Sequence, residues 1–149
     1  MIRLATPDDV PALVDMGREF HGAAGWADIT AFVDADCATT LANMIYNDSA
    51  IVLVAVEGEQ VIGMAGGVTT PIYFNYGHRS GQELFFWMRP DARTGEGARL
   101  LAALENEARA LGCESWVMLS LENIRPQATG ALYKRRGYRL AEHNWIKRL

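Results

Sequence analysis

The sequence predicts a mixed α/β (α+β) fold, in which helices cover both faces of one mostly antiparallel sheet of six to seven strands. Segments with strand character and segments with helical periodicity follow one another in the order β-α-α-β-β-β-α-β-α-β. The nearly continuous β-branched run AIVLVAV at 50–56 is typical of a central strand. Residues 82–121 give a strand, a glycine turn, a helix and a strand, which should place the fourth and fifth strands parallel through a right-handed crossover.

Caps and glycine turns set the limits of these elements. Thr6 is a good helix N-cap with Asp9 placed to reach back to it, and Gly112 suits the end of the clearest helix. Gly58 lies in a tight turn that joins two strands as an antiparallel hairpin. The predicted strands are 1–5, 50–56, 61–70, 82–89, 114–121 and one or two within 138–149; the predicted helices are 6–20, 29–47, 95–112 and 127–137, and 71–81 is an aromatic loop.

Length and composition predict one globular domain over residues 1–149, of which half are hydrophobic and 21% are charged. A net charge of −4 argues against nucleic acid as a partner, because no basic excess is present to pair with phosphates. No signal peptide is evident and no apolar run reaches about 18 residues, so no membrane partner is expected. Cys37 and Cys113 match no metal-ligand spacing, which favours reduced thiols, a cytoplasmic protein and no bound metal.

The turn between the fourth strand and the clearest helix is a candidate anion site. In RPDARTGEGARLL at 89–101, arginines and glycines stand immediately before a helix N-terminus. Free N–H groups and the helix dipole favour an anion there, and glycine lets the backbone approach a phosphate closely. Arg93 and Arg99 can add charge-assisted hydrogen bonds. An ordinary strand-to-helix connection is the alternative interpretation.

Two motifs together resemble the GNAT superfamily of acyl-CoA-dependent N-acetyltransferases. MRPDARTGEGARLL at 88–101 is similar to the family's strand-end, glycine-rich pyrophosphate loop. ALYKRRGY at 131–138 is similar to the family's helix that carries a tyrosine and is followed by a glycine and an aromatic residue. The resemblance covers essentially the whole length and the order of the elements.

The first motif departs from the family's spacing, which is Arg or Gln, two residues, Gly, one residue, then Gly or Ala. When the pattern is read from Arg93, the two glycine positions hold Glu96 and Ala98. When it is read from Gly95 and Gly97, the first position holds alanine. The register of the loop on a pyrophosphate therefore stays open.

The resemblance implies acetyl-CoA as a co-substrate, with no metal. Its pantetheine would run between the fourth and fifth strands, where it would pair with backbone groups of Trp87 and Met88 and with the side chain of Asn123. The cofactor-binding residues expected on this basis are Trp87, Met88, Arg93, Thr94, Gly95, Glu96, Gly97, Ala98 and Asn123.

The implied reaction is direct attack of an amine on the acetyl group through a tetrahedral intermediate. Tyr133 occupies the family's tyrosine position and is the candidate acid for the departing thiolate. Glu83, at the start of the fourth strand, is the candidate base, with His78 or a water relay as alternatives. A packing role for Tyr133 and a solvated strand-end charge for Glu83 are the non-catalytic alternatives.

The implied acceptor is a primary amine of a small molecule or a protein. It would meet the first helical pair and the aromatic loop, where the candidate substrate-binding residues are Trp26, Tyr73, Tyr76 and His78. The identity of the amine and the acyl-chain preference stay open. The alternative function is a GNAT-fold module that binds CoA without turnover and acts in regulation or interaction, and either function is compatible with a homodimer.

Overall fold

Five strands and four α-helices make up the part of the chain that the structure, a computed structural model, describes, which is residues 1–92 and 95–149. The strands are β1 (Ile2–Leu4), β2 (Ala50–Glu57), β3 (Gln60–Ile72), β4 (Asn75–Met88) and β5 (Ser115–Val117). The helices are α1 (Val10–Ala23), α2 (Asp34–Ile45), α3 (Glu96–Ala110) and α4 (Pro126–Arg135). Up to α4, the order of the elements is the predicted one.

The five strands form one sheet in the order β1-β2-β3-β4-β5. Neighbours from β1 to β4 are antiparallel, and β4 and β5 are parallel, which confirms the predicted crossover. Side chains of β2 alternate between two buried clusters, because successive residues of a strand point to opposite faces. Val52 and Val54 join the cluster that contains α1 and α2, whereas Ile51 and Leu53 join the cluster that contains α3.

The entry into α1 is fixed by a buried carboxylate. Pro7–Asp9 forms a single 3-10 turn before α1, and the Thr6 backbone N–H donates to Asp9 Oδ2 at 2.7 Å, as the capping pattern predicts. Both terminal nitrogens of Arg3 also donate to Asp9, at 2.6 and 2.8 Å. The guanidinium of Arg3 therefore holds the pKa of Asp9 at about 2, below its ordinary value.

The prediction of six to seven strands is wrong, because the described residues contain five. Residues 138–149, expected to supply the last strands, form no helix or strand, and Trp145 keeps 95% of its surface exposed. A strand needs a backbone partner as well as a suitable side-chain pattern. The adjacent strand, β5, is only three residues long, so it offers little edge for such pairing.

The aromatic loop predicted at 71–81 is instead the tip end of a long hairpin formed by β3 and β4. Pairing of β3 with β4 extends to Ile72 and Asn75, so that only Tyr73 and Phe74 form the turn. Gly81, the last residue of the predicted loop, lies within β4. A Cβ there would lie 2.1 Å from Cζ3 of Trp116, so the indole occupies the space of a side chain.

Two further elements are shorter than predicted. The second helix begins at Asp34 and not at residue 29, since Val33 is extended at φ −116° and ψ 106°. The β-branched residues before it disfavour a helix. The fifth strand is confined to Ser115–Val117 within the predicted range 114–121, and this shortening creates the opening described next.

Candidate active site

The parallel strands β4 and β5 stay together for only three residues. Their pairing joins Ser80–Gln82 to Ser115–Val117, and β4 then continues to Met88 with β3 as its paired neighbour. Opposite β3, Gly67 pairs with Glu83 and Gly66 with Phe85, so Leu84 is an extra residue that forms a bulge. A bulge bends and twists its strand, so β4 turns where its pairing with β5 ends, and the region where the two are unpaired is called the opening below.

Glu83 lies at the base of this opening. Only 3% of its surface is exposed, and its Oε2 accepts a hydrogen bond from the backbone N–H of Leu119 at 2.9 Å. Burial raises the pKa of Glu83 to about 7, although the Leu119 hydrogen bond favours the charged form. The carboxyl group therefore changes charge near neutral pH.

Tyr133 reaches the same place from α4. It is 7% exposed, and its hydroxyl donates to the backbone C=O of Leu119 at 2.9 Å. Burial, assisted by the nearby charge of Glu83, raises the pKa of Tyr133 above its ordinary range. The two predicted catalytic side chains are thus bound to one residue, and the phenol keeps its proton at neutral pH.

The N-terminus of α3 faces the end of β4. Gly95 is its N-cap with a left-handed φ of 94°, and no side chain caps the first turn. The N–H groups of Glu96, Gly97 and Ala98 have no partner within the helix by geometry. Arg93 and Thr94, predicted to bind the cofactor, lie outside the described residues.

Glu96 is turned to one side of this helix start. Its carboxylate binds Arg99 at 2.7 Å, and it lines a cavity of about 370 Å³ together with Met1, Glu57 and Gly58. The position of Glu96, left open in the sequence, is therefore beside the β2–β3 turn, where Arg99 offsets its charge.

The other predicted cofactor residues lie on both sides of the opening. Trp87 donates from Nε1 to Glu19 Oε2 at 3.2 Å, while Met88 packs toward Gly97. Asn123 follows β5, and its Nδ2 donates to the backbone C=O of Ala24 at 3.3 Å. That contact joins the loop after β5 to the end of α1.

The four predicted substrate-binding residues occupy separate parts of the structure. Trp26 belongs to a short 3-10 turn between α1 and α2. Tyr73 and Tyr76 lie at the tip of the β3–β4 hairpin, with 88% and 83% of their surfaces exposed. His78 is on β4 and not in a loop, and its Nε2 lies 2.9 Å from Oγ of Ser115.

Three residues at the site were not found by sequence reasoning. Leu119 acts through its backbone, which leaves no side-chain signature. Glu19 on α1 accepts a hydrogen bond from Trp87 and pairs with Arg89 at 3.4 Å, and no motif in the sequence marks it. Ser115 resembled any strand-end serine, and only the parallel pairing of β4 and β5 brings it to His78.

Two kinds of feature are absent from the described residues, a membrane-spanning helix and a cluster of metal ligands. Within 1–92 and 95–149, no helix is long and apolar enough to cross a membrane. The same residues contain no group of three or more His, Cys, Asp or Glu side chains arranged to hold a metal ion.

The model of the Acetyltransferase (GNAT) family matches residues 15–138 of this chain. No curated protein matches the sequence.

Solved structures share the fold at low sequence identity. A predicted acetyltransferase from Clostridium acetobutylicum, crystallised with acetyl-CoA, has a TM-score of 0.76 and 22% identity, covering 99% of this chain and 94% of that one. A ribosomal-protein-alanine N-acetyltransferase from Brucella melitensis has a TM-score of 0.74 and 17% identity, covering 100% and 99%. AAC(6')-Iy, in complex with the bisubstrate analogue CoA-S-monomethyl-acetylneamine, has a TM-score of 0.79 and 13% identity, covering 100% and 97%.

Proposed function

Because the chain belongs to the GNAT acetyltransferase family, we propose that it is an N-acetyltransferase that moves an acetyl group from acetyl-CoA to a primary amine of a small molecule or protein. Residues 1–149 would act as one acyltransferase domain. The observation that carries the proposal is the meeting of Glu83 and Tyr133 on Leu119, where β4 and β5 separate. A base and an acid at one opening are what direct acyl transfer requires.

Glu83 is the proposed base. An amine attacks only when it is neutral, so a proton must be removed, directly or through water. A pKa of about 7 suits this task, because a base works best when its pKa is close to the working pH. Burial also keeps the carboxylate from being fully solvated, which strengthens its interaction with a nearby ammonium group.

Tyr133 is the proposed acid for the departing CoA thiolate. Its phenol is protonated at neutral pH, so it has a proton to give. The hydroxyl can rotate from the Leu119 carbonyl toward the opening without movement of the ring. The acid and the base then remain separate groups, and what they share is a hydrogen-bond partner, the backbone of Leu119.

The first turn of α3 is the proposed pyrophosphate site. The N–H groups of Glu96, Gly97 and Ala98 and the helix dipole favour an anion. The pairing of Glu96 with Arg99 supports this role, because it offsets the one acidic charge in the turn. Arg93, Thr94 and Gly95 belong to the same loop and complete the proposed set.

The part of β4 after Gln82, which has no partner in β5, is the proposed place for the pantetheine. Backbone groups of Trp87 and Met88 lie beyond the last pair with β5, and Asn123 lies in the segment that follows β5. The acetyl-CoA in the Clostridium acetobutylicum structure supports this cofactor for the shared fold.

The acceptor would approach from the side of Trp26, His78 and the tip of the β3–β4 hairpin. The exposed rings of Tyr73 and Tyr76 can pack on an amine through cation–π contact. The names of the Brucella protein and of the AAC(6')-Iy complex support a nitrogen acceptor, on a protein in one case and on a small molecule in the other.

One observation favours the alternative, a module that binds CoA without turnover. The proton of Tyr133 is already donated to Leu119, so the proposed acid has a structural use as well. Such a module would bind acetyl-CoA and release no CoA with any amine.

A CoA-release screen distinguishes these functions. The purified chain is incubated with acetyl-CoA, or a longer acyl-CoA, and amines that include polyamines, amino acids, aminoglycosides and peptides. Release of CoA that depends on one class of amine, with the acetylated amine identified by mass, supports the N-acetyltransferase. A rise in melting temperature with acetyl-CoA but no release favours the binding module, and the absence of both contradicts the two proposals.

A further inference from the structure

A buried carboxylate joins α3 to the end of α4. Glu105 lies on α3 and keeps only 7% of its surface exposed. Arg136, the C-cap of α4, donates from Nε to Oε1 of Glu105 at 3.3 Å and from Nη2 to Oε2. Arg109 also donates to Oε2, at 3.5 Å, but its side chain is 65% exposed and adds little. Two hydrogen bonds between Glu105 and Arg136 thus connect the two helices.

The turn that contains Arg136 is bound to the backbone of Tyr133. Gly137 has a left-handed φ of 91°, which turns the chain back at the end of α4. The N–H groups of Arg136 and Tyr138 both donate to the C=O of Tyr133, each at 3.0 Å. Glu105 is therefore connected to Tyr133 through the side chain of Arg136 and the turn in which Arg136 lies.

The remaining attachment of α4 is concentrated in one side chain. Among residues 126–135, Tyr133 alone is buried. Its hydroxyl binds the Leu119 carbonyl, which fixes the end of the side chain but leaves the helix free to tilt about it. Helices in proteins are held mainly by the packing of an apolar face, and α4 offers a single buried residue for this purpose. The contact with Glu105 is a second point of attachment, which restricts that tilt.

The helix that carries Glu105 also begins at the proposed pyrophosphate site. Glu105 is nine residues after Glu96, which is about 13.5 Å along the axis at about 1.5 Å per residue. One continuous helix therefore relates the place where the cofactor phosphates would bind to the place where α4 is held.

We propose that Glu105 is a positioning residue for acetyl transfer, which acts through Arg136 to hold the phenol of Tyr133 where the departing thiolate needs its proton. The inference rests on the proposed role of Tyr133 as the acid, and it requires no contact of Glu105 with cofactor or amine. Loss of the Glu105 carboxylate should leave acetyl-CoA bound but misplace the acid. A misplacement of about 1 Å can cost about 100-fold in rate.

Glu105→Gln is the test variant. The amide keeps one oxygen for Arg136 but turns an NH2 group toward the second donor, so one of the two hydrogen bonds is lost. The side chain of Arg136 is 36% exposed and can be solvated when it is released, so the variant should fold. Arg136→Gln breaks the same pair from the other side and takes the place of Glu105→Gln if that chain does not fold. Glu107→Gln, about 200° away around α3, removes an equal charge and is the matched control.

The position of the phenol can be measured without turnover. The chain is labelled with carbon-13 at Cζ of its five tyrosines, and the Tyr133 signal is assigned by its absence in Tyr133→Phe. Because this carbon responds to the hydrogen bond of its hydroxyl, the signal should shift in Glu105→Gln and Arg136→Gln but not in Glu107→Gln. An unmoved Tyr133 signal in the folded Glu105 and Arg136 variants would overturn the proposal.

Turnover is measured with an amine found by the CoA-release screen. We expect Glu105→Gln to lower kcat by about 10- to 100-fold and to keep the Kd of acetyl-CoA within about twofold of the wild type. In a chain that already carries Tyr133→Phe, the same substitution should lower kcat no further, because the acid is already absent. Equal losses in the two backgrounds, or weaker acetyl-CoA binding with kcat unchanged, would reduce Glu105 to a structural residue and overturn the proposal.

Failure of the proposed function would be recognised separately. In that case no amine would release CoA from the wild-type chain, whereas the tyrosine signal would still report whether Glu105 holds Tyr133 in place.

Discussion

Glu83 and Tyr133 are bound to the same residue, Leu119, one through its N–H and the other through its C=O. The three residues come from β4, the segment after β5, and α4. A change at any one of them should therefore be felt by the other two, and the proposed base and acid can be tested separately only with matched controls.

The pH dependence of acetyl transfer should report Glu83. If this carboxylate is the base, kcat should rise with pH through an inflection near the pKa of about 7 and then level off. Glu83→Gln keeps an oxygen for the Leu119 N–H but cannot accept a proton, so it should remove that inflection and lower kcat by about 100-fold. An unchanged pH profile in folded Glu83→Gln would assign the base to another group.

The same carboxylate should make stability fall as pH rises. The pKa of Glu83 is about 7 in the folded chain and about 4.3 in an unfolded one, so the folded state binds the additional proton between these values. The contribution of Glu83 to stability is therefore fully present below about pH 4 and is lost, by about 4 kcal/mol in all, as pH rises from 4 through 7. Denaturant titrations should show this decline in the wild-type chain and in the control Glu59→Gln, an exposed turn residue, but not in Glu83→Gln.

Tyr133→Phe should affect both turnover and folding. Loss of the hydroxyl removes the proposed acid, so kcat should fall by at least tenfold while the affinity for acetyl-CoA is retained. It also leaves the Leu119 carbonyl without this partner, at a cost of about 1–2 kcal/mol in unfolding free energy.

Tyr138→Phe is the matched control for that experiment. Its ring lies 5.6 Å from that of Tyr133, and its hydroxyl interacts with Glu105 and not with Leu119. An equal loss of kcat in both variants would indicate a packing role for this pair of rings, and an unchanged kcat in Tyr133→Phe would remove Tyr133 from the mechanism.

Gly97→Val should weaken acetyl-CoA binding with little effect on folding. A Cβ at this position would be 3.5 Å from Met88 Cγ, which is an ordinary contact, so the folded chain has room for it. A branched side chain in the first turn of α3 would nevertheless obstruct an anion bound to the N–H groups. Calorimetric titration should show at least a tenfold loss of affinity, whereas Gly130→Val in α4, where a Cβ meets nothing within 4 Å, should bind as the wild type does. Equal affinities would place the pyrophosphate elsewhere.

Asp9→Asn should remove the acid sensitivity of the α1 entry. Since the pKa of Asp9 is about 2 in the folded chain, its charge stabilises the fold above pH 4 and this contribution is lost as pH falls toward 2. The variant should lose about 1–2 kcal/mol at pH 7 and show a flatter acid limb in thermal unfolding. Asp8→Asn, an exposed neighbour in the same turn, should leave the acid limb unchanged.

Local chemistry accounts for the features that the sequence predicted correctly. The Thr6 and Asp9 cap, the Gly58 turn and the crossover that makes β4 and β5 parallel each depend on neighbouring residues or on chain order. The limits of β4 and β5 were less predictable, because they depend on which backbone finds a partner. Gly81 was the last residue of the predicted loop and is a strand residue that makes room for Trp116.

Glu83 and Tyr133 could be proposed from the sequence as site residues, but their geometry could not. Glu83 and Tyr133 carry recognisable side chains, and the structure brings both to one place. Their common partner is a peptide group, and the bulge at Leu84 that turns β4 depends on its register with β3. Neither feature has a residue-type signature, so neither could be read from the sequence.

The Glu83–Leu119 hydrogen bond lies just beyond the last backbone pair of β4 and β5, where a further backbone hydrogen bond would continue the sheet. A backbone hydrogen bond between strands has a fixed length and does not change with pH. This one has the length of a glutamate side chain, and it is stronger when the carboxyl is ionised than when it is protonated. The spacing between β4 and the segment after β5 at the base of the opening therefore depends on one side chain, and a shorter aspartate at position 83 would have to pull these segments together or leave them unjoined.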